Sequence, residues 1–110
     1  MKVTDIVEKL ELKVFSGHEG LGKEVCGGYT SDLLSDVMGH AGAGNAWITI
    51  QSHRNVIAIA SLRDLSAVIL TCGEKPADDT VAQSNEEGIP LLGTGLSTFE
   101  LSGRLYALIG

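Results

Sequence analysis

The chain has 110 residues, with 8 Lys and Arg against 14 Asp and Glu, and a net charge of −6 at pH 7. That length suits one domain spanning residues 1–110, and 44% hydrophobic residues supply a core and argue against disorder. No apolar run nears the ~18 residues of a membrane span, and the acidic balance weighs against a nucleic-acid partner, which needs clustered Lys and Arg. Met1-Lys2-Val3-Thr4-Asp5 puts an acid where a signal peptide carries its apolar stretch, so a cytoplasmic location is expected. Cys26 and Cys72 belong to no C-x-x-C pair and read as reduced thiols, and the three His and two Cys show no ligand spacing for zinc.

In chain order, Thr4 is a candidate cap for a short helix carrying Ile6, Val7 and Leu10 on one face. Leu12–Phe15 reads as a strand. Ser16–Gly22 is a glycine-rich loop holding His18 and Glu19. Glu24–Cys26 reads as a second extended piece stopped by Gly27-Gly28. Ser31 and Asp32 offer cap chemistry for a helix whose stripe is Leu33, Leu34, Val37, Met38 and Ala41, ended by Gly39 and Gly42. Ala46–Ile50 is the next strand. Val56–Ala60 has strand propensity, and two adjacent strands joined through Ser61–Ser66 are the alternative. Asn55 is a good N-cap, however, and that connection lacks Gly, Pro and Asn. A helix over Asn55–Leu62 and a strand over Ala67–Leu70 are therefore expected. A helix over Asp78–Glu87 ends at Gly88 in the C′ position. Ile89–Leu92 is a strand, and Ser97 with Glu100 forms a capping box before a closing helix.

Strands alternating with helices imply an α/β fold: a small, mainly parallel sheet of four or five strands with helices on its faces. The apolar runs at 46–50, 67–70 and 89–92 do not alternate with polar residues, as expected of strands buried on both faces, so Ile48, Ile50, Val68, Leu70 and Leu91 are expected in the core.

In such sheets ligands bind beyond the carboxyl ends of the strands, against helix N-termini. Three junctions are polar there and give one candidate ligand site: Gly27, Gly28, Thr30 and Ser31; His53, Arg54 and Asn55; Ser97 and Thr98. Backbone N–H groups, hydroxyls, an imidazole and a guanidinium suit an anion, and Arg54 is the fixed cation. Taken singly, Ser31, Asn55 and Ser97 are also ordinary caps. No phosphate loop, dinucleotide fingerprint or nucleophile elbow occurs, so no catalytic residue, metal or cofactor is expected. Asp32 and Asp36 read as a solvated acidic face, and His18 and His40 as exposed.

Val25-Cys26-Gly27-Gly28-Tyr29-Thr30-Ser31-Asp32-Leu33-Leu34-Ser35-Asp36-Val37-Met38 resembles the central motif of small DRTGG-domain proteins. Trp47–His53, Asn55–Leu62, Ile89–Leu92 and Ser97–Glu100 extend the resemblance over nearly the whole chain. The string that names the family is absent, and Gly27-Gly28 with Ser31-Asp32 is its nearest counterpart. The resemblance implies an α/β domain similar to the N-terminal domain of HPr kinase/phosphorylase, whose kinase chemistry resides in another domain. It also implies kinship with the DRTGG domains that accompany CBS domains in regulated pyrophosphatases, and with stand-alone members encoded near redox systems.

The expected function is a non-enzymatic regulatory or interaction module that self-associates as a homodimer and senses a small anionic ligand, a nucleotide or another phosphate-bearing molecule. The alternatives are a ligand-free accessory factor binding a protein partner in a larger redox or signalling complex, and an enzyme of unrecognised type. Mean hydropathy is positive at +0.18, and Trp47, Tyr29 and the Leu33–Met38 helix are the expected pairing surface.

Overall fold

The computed structural model describes residues 1–110. Helix α1 (Val3–Lys9) leads to strand β1 (Lys13–Ser16) and a 3₁₀ turn at His18–Gly20. Then follow β2 (Gly27–Thr30), α2 (Leu34–His40), β3 (Asn45–Thr49) and α3 (Asn55–Leu62). The chain continues through β4 (Ala67–Leu70), α4 (Asp78–Glu87), β5 (Leu91–Gly93) and α5 (Thr98–Ile109).

The five strands form one sheet in the order β1-β5-β4-β3-β2. Strands β2 to β5 are parallel neighbours in sequence order. Only β1 is antiparallel, with Lys13 opposite Gly93. Parallel neighbours need crossovers of one hand, and three crossovers stepping in one direction put α2, α3 and α4 on the same face. There Val37, Val56, Ile57 and Ala60 pack on Trp47, Val68, Leu70 and Leu91. On the other face Val3, Ile6, Leu101 and Leu105 cover Ala46, Ile48, Ala67, Ile69 and Leu92. Successive side chains of β3 and β4 enter opposite layers, which accounts for the unbroken apolar runs.

The α/β expectation holds, including helix-then-strand over 55–70. Several local readings change. Helix α1 starts at Val3 behind Lys2; Thr4 is inside it, and the Asp5 carboxylate accepts the Lys2 N–H at 2.8 Å. Strand β2 contains Gly27-Gly28, which were expected to end an extended segment at Cys26. Pairing with β3 through Gly27–Asn45 and Gly28–Ala46 overrides the low strand propensity of glycine. A Cβ on Gly28 would lie 3.2 Å from a Leu105 methyl, so α5 packs closely over that point. Helix α2 starts at Leu34 and runs past Gly39 to His40.

Ile50 falls just outside β3 and is 40% exposed, against the expectation of burial, whereas Ile48, Val68, Leu70 and Leu91 are buried. Trp47 is fully buried and lies in the core, not on a pairing surface. Its Nε1–H donates to the Ser31 carbonyl at 2.8 Å, giving the buried indole its partner. No helix is long and apolar enough to cross a membrane.

Candidate functional site

Parallel register brings the carboxyl ends of β2, β3, β4 and β5 to one rim of the sheet. The connections after them are tied together in sequence by hydrogen bonds. Asp32, which precedes α2, reaches β3: its Oδ1 accepts from Thr49 Oγ1 at 2.8 Å and from the Ile50 N–H at 2.9 Å. Gln51 Nε2 donates to the Asp32 carbonyl at 3.0 Å. The Ser52 carbonyl accepts from Thr80 Oγ1 at 2.8 Å, joining the β3–α3 connection to α4. Thr71 Oγ1 and Thr98 Oγ1 share a hydrogen bond of 2.7 Å, and the N–H groups of Cys72 and Gly73 donate to the carbonyls of Leu96 and Thr94. The hydroxyls that an anion would use along the middle of the rim are thus largely spent on holding the loops together.

Of the sequence-derived residues, Ser31 and Thr30 lie at the rim end of β2, while Gly27 pairs with Asn45 at the opposite end of the strand. Gly28 and Thr30 line a depression of about 130 Å³ between the β2 edge and α5. His53, Arg54 and Asn55 are exposed at the start of α3. Asn55 is the first helical residue and not the cap. Ser97 Oγ accepts the Glu100 N–H at 3.1 Å, the expected cap, and Thr98 is the partner of Thr71. No single depression takes in all three junctions. The residues divide between a β2–α5 group, an α3 group and an α5 N-terminal group.

A larger cleft of about 280 Å³ lies at the same rim, toward β1. It is bounded by the β4–α4 connection (Gly73, Glu74, Lys75), the β5–α5 connection (Gly93, Thr94, Gly95) and the first residues of β1 (Lys13, Phe15), with Glu11 beside them. It lies where adjacent strands send their chains to opposite faces: β4 leads to α4 on one side, and β5 to α5 on the other. Ligand crevices in open α/β sheets form at such points. The Phe15 ring lies over Gly93, whose Cβ would come within 2.4 Å of it. Lys13 Nζ stands 5.1 Å from the centre of that ring, a cation–π distance. Neither Lys13 nor Lys75 is in an ion pair, and Arg54 is also unpaired. The N–H groups of Lys75 and Gly95 make no hydrogen bond within the chain. Two unpaired cations and two free N–H donors beside an aromatic ring can hold an oxyanion attached to a small organic group, although Glu11 and Glu74 on the same lining balance the two lysines in formal charge.

Sequence reasoning missed Lys13, Phe15 and Lys75. Gly73-Glu74-Lys75 follows a strand end and satisfies the same positional rule as the three junctions. Lys13 and Phe15 reach the cleft only because β1 docks antiparallel on β5, which no local signal announces.

At the other end of the sheet Tyr29 Oη donates to Asp36 Oδ1 at 2.9 Å, and His40 Nδ1 lies 3.1 Å from the same oxygen. Hydrogen bonding from the Ser31 and Tyr29 hydroxyls, aided by the His40 ring, holds the Asp36 carboxyl below its ordinary value. The same carboxylate is the chief cause of the raised Tyr29 phenol. Asp36 is thus the anchor of a local network and not a free acidic face. Cys26 and Cys72 are exposed, unpaired thiols, and no group of His, Cys, Asp and Glu is arranged to hold a metal ion.

No protein-family model matches the chain, and no curated protein does. Among solved structures, it is similar to the CBS and DRTGG domains of the regulatory region of Clostridium perfringens pyrophosphatase, complexed with its activator diadenosine tetraphosphate. The TM-score is 0.70 at 16% identity, over 94% of this chain and 45% of that one. The chain therefore spans under half the length of that neighbour, and the likeness is one of fold, in keeping with the DRTGG-like fold expected from the motifs.

Proposed function

We propose that this chain is a non-enzymatic regulatory module, acting as one domain in the cytoplasm, that senses a small phosphate-bearing molecule in the cleft between β1 and the β4 and β5 connections. The observation that carries the reading is the cleft itself: about 280 Å³ of open space at the sheet's divergence point, with Lys13 and Lys75 unpaired beside it. That volume is near the lower end of the ~300–1,000 Å³ of small-molecule sites, so it suits a single nucleotide or sugar phosphate. The ligand of the structural neighbour, diadenosine tetraphosphate, belongs to the same chemical class. Exposed free thiols suit a reducing compartment. Self-association with closed two-fold symmetry is part of the same reading.

The test is thermal unfolding with AMP, ATP, diadenosine tetraphosphate, glucose 6-phosphate and inorganic phosphate. A ligand at 100 times its Kd stabilises the native state by about 2.7 kcal/mol, a rise on the order of 10 °C for a domain of this size. The rise should vanish in Lys13→Ala/Lys75→Ala and shrink at high salt. If no phosphate compound moves the transition, the ligand-free accessory factor replaces this reading. A rise abolished by Arg54→Ala and untouched by the lysine pair would move the ligand to the α3 junction.

A further inference from the structure

The cleft beside β1 is charged in both signs. Its β1 wall carries Glu11 and Lys13, and its β4 wall Glu74 and Lys75, on either side of the end of β5. All four residues are exposed, and none is in an ion pair. The glutamates whose carboxylates accept hydrogen bonds within the chain are Glu24, Glu87 and Glu100; Glu11 and Glu74 accept none. Each wall therefore presents one free acceptor and one free cation to the same space. Phe15, on the β1 wall, is the one apolar side chain of the lining.

A bare phosphate uses only half of this lining, because it meets the lysines and is opposed by the carboxylates. A ligand that joins an anion to N–H donors engages both signs. The walls tell its two ends apart. The free N–H groups of Lys75 and Gly95 lie on the β4 and β5 connections, so the anion belongs there, with Lys75. Phe15 gives the opposite wall a flat apolar contact, which suits a planar base better than a hydroxylated sugar ring. Glu11 is the carboxylate on that wall. Guanine presents N1–H and the N2 amino group side by side, and one carboxylate accepts both as a fork. Adenine presents an amino group beside an unprotonated N1, whose lone pair faces a carboxylate oxygen repulsively.

We propose that the cleft selects a guanine nucleotide: its phosphate lies against Lys75 and the two free N–H groups, its base lies beside Phe15, and the Glu11 carboxylate accepts N1–H and N2–H. This base preference rests on the phosphate reading given above and adds the identity of the base. It is opposite to the adenine carried by the activator of the fold neighbour. Lys13 adds attraction for the phosphate from across the cleft. Glu74 has the reverse role: next to Lys75, it opposes the phosphate of every nucleotide alike.

Isothermal titration calorimetry of the intact chain with GMP, IMP, AMP, guanosine and glucosamine 6-phosphate tests it. GMP should bind at least about tenfold more tightly than AMP, with IMP, which keeps N1–H and lacks the amino group, between them. Glu11→Gln should weaken GMP to the level of AMP and leave AMP no weaker. Glu74→Gln should instead tighten GMP and AMP alike, by roughly threefold. Both glutamates are exposed, so both variants should unfold at the wild-type urea midpoint. Equal affinity for GMP and AMP, with both lost in Lys13→Ala/Lys75→Ala, overturns the base preference and leaves the phosphate reading standing. A GMP preference that survives Glu11→Gln, or tighter binding of glucosamine 6-phosphate than of GMP, overturns the placement of guanine on the β1 wall. Guanosine binding as tightly as GMP, or no heat from any of the five, overturns the phosphate reading itself.

Discussion

At the β1 edge of the sheet, Phe15 lies across Gly93 and Lys13 stands over Phe15, leaving a concave, charged surface beside Lys75. At the β2 edge, α5 projects Phe99 and Tyr106 from either side of Gly103, leaving an apolar ridge beside a small hollow. The two glycines mark the difference. Gly93 is imposed from within, because a ring of the same chain occupies the space a side chain would take. Gly103 is imposed by nothing within the chain. One edge is thus packed from within the chain around a cleft; at the other, aromatic side chains stay exposed beside a glycine that nothing in the chain requires.

The largest expected effect is at the first edge. Gly93→Ala puts a methyl into the Phe15 ring and should cost up to about 3 kcal/mol, the upper range for overpacking. It should also displace the cleft floor, so the thermal response to phosphate compounds should fall with it. An unchanged denaturant midpoint would show that Phe15 does not close this edge.

Between the edges, Asp32→Ala removes the acceptor of buried Thr49 Oγ1 and of the Ile50 N–H. An unpaired buried donor costs about 2 kcal/mol. Urea unfolding should show a loss of that order, whereas removal of the exposed Ser35 hydroxyl in Ser35→Ala should stay within about 0.5 kcal/mol.

At the second edge the sign reverses. Gly103→Ala should gain about 1 kcal/mol of helix stability, measured by urea unfolding. A loss would mean that Gly103 answers a need inside the protomer.

Acid sharpens the β2 side further. The Asp36 carboxyl is held below its ordinary value in the folded chain. Its stabilising contribution is therefore complete above the unfolded value near pH 4 and is lost as pH falls through the lower folded value. Asp36→Asn should flatten that part of the stability–pH curve, with little effect on the slope between pH 6 and 8. Lys13→Ala/Lys75→Ala should cost no more than about 1 kcal/mol, the worth of the exposed Lys13–Phe15 contact, though the same pair should abolish the ligand response.

What the sequence made legible was whatever local chemistry decides. Gly88 takes φ +67 at the end of α4, and Ser97 caps α5 through Glu100, both as their spacing implies. The helix over 55–62 followed by a strand over 67–70 rested on a connection too poor for a hairpin. Gly27-Gly28 misled because strand pairing with β3 is decided in three dimensions. Ile50 misled because β3 stops one residue earlier, where Asp32 takes its N–H. Trp47 was read as a surface aromatic, but its indole N–H finds the Ser31 carbonyl and lets the whole ring enter the core. The strand-end rule located the rim, yet most of the polar residues it singled out cap helices or tie loops together. Arg54 is free as expected but lies at the α3 junction, and the cations on the cleft are Lys13 on an antiparallel strand and Lys75 in a connection read only as a strand ending.

The most direct test of the cleft as a ligand site is a titration of the ¹⁵N-labelled chain with ATP, following backbone amide shifts. Binding in the cleft requires saturable shifts at Lys13, Gly73, Lys75 and Gly95, with His53–Asn55 and Gly27–Ser31 unmoved. Shifts confined to those latter segments, or no shift at millimolar ATP, contradict it.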